Sequence, residues 1–208
     1  MAFVKIIALI ATYYTQMVEK FNTVETEVKN WRDFTLNSEI YDLSHLNAHS
    51  VEYLDNRDEN NLITYKFIVT YGLHCFTKEL QELTEEESQL LMYNAPRESR
   101  PFNFERYDLS KQLPEIIKAL GQSATLVCHA AYGNYAIVKV VDSKGVKVDY
   151  FVVFKVFRET KRLRLHITSA YPQSEGVQEK IQKVNFFVIA KNLLNNKKLP
   201  KPSITKAP

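Results

Sequence analysis

The sequence has few of the residues that mark specialised protein classes. Its 208 residues include 2 cysteines, 5 glycines and 7 prolines. That composition excludes a disulfide scaffold, a collagen-like chain and a low-complexity disordered segment. Cys75 and Cys128 lie in apolar, strand-like runs without CxxC spacing. We therefore expect two buried thiols, not a metal knuckle or a disulfide pair.

The sequence also lacks a long hydrophobic run. The apolar stretch within residues 1–12 is well short of the roughly 20 residues that cross a bilayer. It contains a single lysine, and Tyr13 and Tyr14 follow it where a secretory signal has small residues. We predict a buried first helix or strand of a cytoplasmic protein, with no membrane-spanning segment.

Several catalytic and binding motifs are missing from the sequence. It has no phosphate loop, no GxGxxG, no GxSxG elbow and no zinc signature. His45 and His49 have the four-residue spacing of a helical metal site, but no HExxH motif or nearby cysteine accompanies them. A solvated helix face or a loop is the favoured interpretation of this pair, so we predict neither a metal nor a cofactor. Any chemistry must come from dispersed residues.

What the sequence does contain is typical of a protein with a substantial core. Hydrophobic residues make up 45% of the chain, with 12 Tyr and 12 Phe among them, and charged residues make up 25%. The net charge of +3 conceals an asymmetry. Residues 1–104 hold 9 Lys/Arg and 16 Asp/Glu (net −7), and residues 105–208 hold 18 and 8 (net +10). The basic half suits RNA, whereas the acidic half suits a protein partner or self-association.

The first third of the chain predicts a helix and a hairpin. Apolar residues at positions 17, 21, 24, 28 and 31 have the spacing of an amphipathic helix, which we expect to end near Phe34. β-branched and aromatic residues then crowd 51–54 and 62–71, on either side of a polar turn, and predict two paired strands. We assign residues 1–60 to a helical N-terminal extension.

The middle of the chain predicts short helices. Thr84 and Glu87 have the spacing of a capping box at a helix start. Two prolines indicate a loop over residues 94–101. Leucines and isoleucines on one face predict a helix from Ser110 to Leu120, which Gly121 would end.

From residue 124 onward the pattern changes to that of strands. Four extended segments, 124–132, 135–142, 146–158 and 162–171, are separated by turn residues and predict an antiparallel meander. A last strand is expected over residues 183–194, before a basic tail over 195–208. The predicted fold is one α+β domain, in which N-terminal helices and a hairpin precede a curled antiparallel sheet of four to five strands, with residues 61–194 as the sheet-bearing core.

The segment Arg162–Tyr171 is the strongest functional candidate. Strand alternation places its leucines and Ile167 toward the core, and places Arg162, Arg164, His166 and Thr168 on the opposite face. Guanidinium groups match phosphate oxygens, and a histidine can move protons at a ribose hydroxyl. The alternative is an exposed strand that turns its polar side to water.

Two further segments contain candidate residues. His74 stands at a predicted strand end, where functional sites often gather, although a lone histidine there is more often structural. In segment 98–107, Arg100 and Arg106 alternate with Phe102 and Phe104. These residues either stack a base and neutralise a phosphate, or form core packing with surface ion pairs.

The architecture over roughly residues 65–194, with Arg, His, Thr and Ser on a late strand, resembles the barnase, colicin and RelE-type ribonuclease superfamily. Members of that superfamily cleave RNA without a metal, and many are toxins or defence effectors. The resemblance implies catalytic roles for His166, Thr168 and Ser169, with His74 as a partner. The N-terminal 60 residues have no counterpart in the minimal fold. The full prediction is catalysis by His74, Arg106, His166, Thr168, Ser169 and Tyr171, and RNA contacts by Arg100, Lys155, Arg162 and Arg164.

Three hypotheses about function follow from the sequence. The first is a metal-independent endoribonuclease, acting as a toxin or phage-defence effector on tRNA or mRNA. The second is a non-catalytic interaction protein, whose acidic and basic halves are complementary surfaces. The third is a protein that binds RNA through its basic half and leaves it intact.

Overall fold

The computed structural model describes residues 27–79, 83–122, 125, 127–130, 134–143, 145–159, 162–173 and 183–201. The strands are β1 (Phe34–Leu36), β2 (Glu39–Tyr41), β3 (His49–Asp55), β4 (Ile63–His74), β5 (Met92–Asn94), β6 (Ser99–Pro101), β7 (Val127–His129), β8 (Tyr135–Ser143), β9 (Val146–Glu159), β10 (Arg162–Gln173) and β11 (Lys183–Val184). The α-helices are α1 (Glu85–Leu90), α2 (Phe104–Ser110), α3 (Leu113–Lys118) and α4 (Phe186–Leu194). Single 3-10 turns lie at Ser44–Leu46 and Ala119–Gly121.

Seven of these strands form one sheet, instead of the predicted four to five, in the order β11-β7-β8-β9-β10-β4-β3. The fold is of the predicted α+β class, and its hairpins β3–β4, β8–β9 and β9–β10 are antiparallel as expected. The prediction of a purely antiparallel sheet is wrong, because β4 pairs with β10 in parallel. Side-chain alternation gives each strand two faces but does not encode which neighbour it pairs with.

The core lies on one face of this sheet. Alternate residues of β4, β9 and β10 point into it and are almost fully buried. They include Tyr65, Phe67, Val69, Tyr71, Tyr150, Val152, Phe154, Leu163, Leu165 and Ile167. Helix α4 packs against this face, with the Phe186 ring 4.8 Å from Tyr53 and 5.8 Å from Phe67 between ring centroids.

The strand predicted for residues 183–194 is mostly a helix. Only Lys183 and Val184 pair with β7. The side chain of Asn185 then accepts a hydrogen bond from the Phe187 N–H at 2.9 Å and caps helix α4. The buried positions 186, 187, 189, 190 and 193 have helical spacing. A short apolar run fits the period of a strand and that of a helix, and the prediction of a strand is wrong here.

The predicted N-terminal helix is also corrected in part. Residues 17–26 of it lie outside the described residues. From residue 27 to residue 33 the chain forms no helix, and at Phe34 it enters strand β1. Trp31 and Phe34 are nevertheless buried. These apolar residues pack in the core from a non-helical segment, not from one face of a helix.

The middle of the chain agrees with the prediction more closely. The capping box is confirmed, because the Thr84 hydroxyl accepts from the Glu87 N–H and the Glu87 carboxylate accepts from the Thr84 N–H. The helix predicted from Ser110 to Leu120 is α3 followed by a 3-10 turn that ends at Gly121, whereas Ser110 is the last residue of α2. The predicted loop over residues 94–101 is a turn only at residues 95–98, because Asn94 ends β5 and Ser99–Pro101 form β6. In the described ranges, no helix is long and apolar enough to cross a membrane.

Candidate functional site

The polar face of β10 is covered at Arg164 and His166, whereas Arg162 at the start of the strand is exposed. Leu163, Leu165 and Ile167 face the core as alternation predicts. On the opposite face, Arg164 is fully buried and the His166 side chain is only 14% exposed. Glu27 lies against these two residues, 3.1 Å from Arg164 Nη1 and 3.9 Å from His166 Nδ1.

Arg164 is the centre of a buried ion cluster. Its Nη1 donates to Glu27 Oε1 at 3.1 Å, and its Nε lies 3.0 Å from Glu159 Oε1. The guanidinium carbon is 4.1 Å from the centre of the Phe157 ring. Burial lowers the pKa of Arg164, against the two carboxylates that raise it. The predicted phosphate contact is therefore occupied by acidic residues of the same chain.

His166 is held as a neutral ring. Its Nδ1 is hydrogen-bonded to the Thr70 hydroxyl at 2.9 Å and lies 3.9 Å from Glu27 Oε2. Burial, together with the positive charges of Arg164, Lys155 and Arg97, lowers the pKa of His166 to about 3. A ring with this pKa is a poor proton acceptor at neutral pH.

The neutral state of His166 predicts that acid destabilises the fold. The unfolded chain binds a proton at this histidine below about pH 6.5, whereas the folded chain does so only near pH 3. The free energy of unfolding should thus fall as pH decreases from about 6.5 to 3, by at most about 1.4 kcal/mol per pH unit. Urea unfolding of the wild type and of His166→Gln, from pH 7 to pH 4, measures this effect.

The difference in stability between the two proteins isolates the histidine from the carboxylates that titrate in the same range. We expect the wild type to lose stability relative to His166→Gln as the pH falls. Parallel stability curves for the two proteins would contradict a buried neutral His166.

A β-bulge shapes the site next to His166. The register between β10 and β4 shifts between Ile167 and Ser169, and Thr168 lies at this irregularity. The Thr168 hydroxyl donates to the Val153 carbonyl at 3.2 Å. A Cβ at Gly72 would lie 2.9 Å from the Thr168 carbonyl oxygen, so only glycine allows β4 to approach the bulge this closely.

His74 ends β4 and is paired with an acid. Its Nε2 lies 3.2 Å from Glu98 Oε2, and both side chains are about two-fifths exposed. Arg100 donates to the other oxygen of Glu98 at 3.0 Å. Burial raises the pKa of Glu98, but hydrogen bonds from Arg100 and His74 outweigh it, so the pKa lies below its ordinary value.

These side chains meet in a cavity of about 590 Å³. His74 and Glu98 line one end of it, and His166 and Thr168 line another part. Other lining residues are Glu27, Lys29, Trp31, Tyr71, Gly72 and Arg97. The two predicted histidines thus share one cavity, together with charges of both signs.

The two histidines are nevertheless separated along the sheet. In the parallel register His166 lies beside Thr70, and His74 lies beside Ser169. His74 is therefore three to four residues further along, which is about 10 to 13 Å at the rise of a β-strand. The two histidines are thus not direct neighbours in the sheet.

The remaining predicted residues lie in several places. Arg106 and Tyr171 line a different, smaller cavity. Lys155 is the β9 neighbour of His166. Arg100 pairs with Glu98, and Arg162 lies 3.8 Å from Glu159.

The other histidine and cysteine candidates are structural. His45 is hydrogen-bonded to the Ser110 hydroxyl at 2.8 Å, and His49 is on β3, where its ring stacks on Tyr71. The two histidines are not on one helix, so their four-residue spacing does not place them side by side as metal ligands. In the described residues, no three His, Cys, Asp or Glu side chains are grouped as metal ligands. Both cysteines are buried free thiols, as predicted.

Sequence reasoning missed some residues that line or support the site. Glu27 was assigned to an amphipathic helix, and no local pattern links it to Arg164 across 137 positions. Arg97 was placed in a loop, and Thr70 within a strand. Of these three residues, the sequence could have indicated only Arg97 as a site residue, because it lies in a turn next to a candidate segment.

The fold and this cavity define a mixed-sheet α+β protein with a polar site on the face of the sheet opposite the core. The chain belongs to the YjaZ family, which it matches over residues 33–194. It is 50% identical over 182 residues to "Protein YjaZ" of Escherichia coli (strain K12), an alignment that covers 86% of this chain and 99% of that protein. No solved structure matches the chain.

Proposed function

We propose that the 590 Å³ cavity binds RNA, and that the chain cleaves the bound strand without a metal, with His74 as the group that accepts the proton. One observation carries this proposal: the His74–Glu98 pair shares a cavity with Arg97, His166 and Thr168. A cavity of this size is in the range that holds a nucleotide-sized ligand.

The proposed reaction needs one base and local positive charge. His74 removes the proton of a ribose 2′-hydroxyl, the 2′-oxygen bonds to phosphorus, and the bond to the 5′-oxygen breaks. Water protonates the leaving oxygen, and the product is a 2′,3′-cyclic phosphate. Glu98 orients the imidazole, as carboxylates do for catalytic histidines, and Arg97 and Lys155 contribute positive charge near the cavity.

His166 is a binding residue in this scheme. Its pKa of about 3 is unsuited to accepting a proton at neutral pH. This assignment differs from the two-histidine mechanism that the resemblance implies.

Incubation of the purified chain with total RNA in excess EDTA tests the proposal. We expect fragments with cyclic phosphate ends, and a decrease in rate of about a hundredfold or more in His74→Ala, the usual contribution of a positioned acid or base. His129→Ala is the matched control, because His129 lies on β7, four strands from β4 in the sheet.

Two outcomes would overturn this proposal. Intact RNA after prolonged incubation with the wild type would exclude cleavage under these conditions. Equal rates in His74→Ala and the wild type would exclude His74 as the base.

RNA binding without cleavage is the second candidate. It is favoured by the low pKa of His166, which leaves the cavity without the acid and base pair of a typical metal-independent ribonuclease. It predicts RNA affinity that falls steeply as salt rises, with the RNA recovered intact.

A further inference from the structure

A second cavity, of about 340 Å³, lies where β4 has ended and β10 continues. Its polar lining consists of Lys78, Asn103, Glu105, Arg106 and Tyr171. Residues 74–78 connect the two cavities, because His74 lines the first and Lys78 lines the second.

Arg106 is the main charged group of this second cavity. Its Nη1 donates to the His74 carbonyl at 2.9 Å and to the Thr77 carbonyl at 2.8 Å. The guanidinium carbon lies 5.6 Å from the centre of the Tyr171 ring. Burial lowers the pKa of Arg106, yet a guanidinium remains charged in proteins.

Arg106 forms no ion pair within the part of the chain that the structure describes. Among the described residues, no carboxylate lies within 4.0 Å of its guanidinium, and its Nε and Nη2 make no hydrogen bond. Arg164, by contrast, is enclosed by two carboxylates. A half-buried guanidinium with unused donors on one edge is suited to binding an oxyanion.

The neighbouring groups add further donors. Asn103 Oδ1 accepts a hydrogen bond from the backbone N–H of Arg106 at 2.9 Å, which leaves the side-chain NH₂ of Asn103 as a donor. Lys78 is exposed at the rim and adds a second positive charge. Glu105, which is exposed, is the one negatively charged residue among those that line this cavity. The cavity therefore holds two cations and one acid.

We propose that this second cavity binds a phosphate group. Nε and Nη2 of Arg106 form a two-donor fork toward the phosphate oxygens, and Lys78 and Asn103 are additional donors. A single carboxylate would occupy the Arg106 fork alone, whereas a phosphate has the oxygens and the charge to engage Lys78 as well. This site does not depend on the RNA cleavage proposed above. The phosphate belongs either to an RNA strand or to a small phosphorylated molecule.

Isothermal titration of the full chain with inorganic phosphate, against chloride at equal ionic strength, tests the site. We expect phosphate affinity to fall about tenfold or more in Arg106→Lys, which loses the fork but keeps a donor for the two carbonyls. Lys78→Gln should weaken binding several-fold. Lys118→Gln removes an exposed charge outside the cavity and should match the wild type.

Absence of phosphate binding by the wild type would overturn the proposal. So would equal affinities in Lys78→Gln, Arg106→Lys and Lys118→Gln. Should Arg106→Lys fail to fold, the comparison of Lys78→Gln with Lys118→Gln decides, because Lys78 is exposed and its substitution should leave the fold intact.

A short single-stranded RNA and a nucleoside monophosphate identify the source of the phosphate. Weaker RNA binding in Lys78→Gln and Arg106→Lys assigns the site to the RNA backbone. Unchanged RNA binding together with weaker monophosphate binding assigns it to a small ligand. His74→Ala should retain phosphate affinity, so failure of the cleavage proposal and failure of this site are separate results.

Discussion

Arg164→Met should destabilise the protein by about 3 to 5 kcal/mol, the usual cost of removing one partner from a buried ion pair. The variant leaves the Glu27 and Glu159 carboxylates, which are 10% and 16% exposed, without the guanidinium between them. Methionine is long and apolar enough to keep contact with Phe157, so the loss reports charge more than packing. Urea unfolding at pH 7 measures the change.

The neighbouring Arg162 supplies the control for this experiment. Its side chain is 44% exposed and lies 3.8 Å from Glu159, so Arg162→Met should cost less than about 1 kcal/mol. Acidification that neutralises the carboxylates should also reduce the penalty in Arg164→Met. Equal losses in the two variants would show that Arg164 is not the centre of the cluster.

Phe102→Ala should also cost about 3 to 5 kcal/mol, the range for truncating a fully buried phenylalanine. Phe102 has no exposed surface, and its ring stacks on Phe34 at 4.2 Å between centroids. The rings of Phe104 and Tyr107 lie 5.3 Å away, so the substitution leaves a cavity walled by aromatic side chains. A decrease in the urea midpoint without a change in slope is the expected measurement.

This result separates the two interpretations of segment 98–107. A residue that stacks an RNA base would lose RNA affinity on truncation and leave stability nearly unchanged. Leu90→Ala, at a position 58% exposed, is the matched control and should change stability by less than about 0.5 kcal/mol. A comparably small effect in Phe102→Ala would contradict its place in the core.

The buried cluster also changes the meaning of the charge asymmetry. Glu27 belongs to the acidic half of the sequence and Arg164 to the basic half, and the two form an ion pair inside the molecule. Glu52 and Lys66 pair within the acidic half, on the hairpin β3–β4. Part of the charge that predicted an external partner is thus used within the fold.

The positions of the hairpin and meander strands along the chain, and their two faces, could be predicted from the sequence, because alternation and turn residues are local signals. The hairpin of β3 and β4, the meander of β8, β9 and β10, and the burial of Leu163, Leu165 and Ile167 all follow from such signals. The period of a short apolar run is ambiguous, which is why helix α4 was predicted as a strand.

Strand alternation is enough to assign the residues of β10 that face away from the core. What covers those residues depends on contacts between segments far apart in the chain. The parallel pairing of β4 with β10 places His74 three to four residues along the sheet from His166. Glu27, which is 137 positions away in the sequence, forms an ion pair with Arg164. Contacts between distant segments depend on how the strands pair and how the chain returns, and no local pattern in the sequence encodes that.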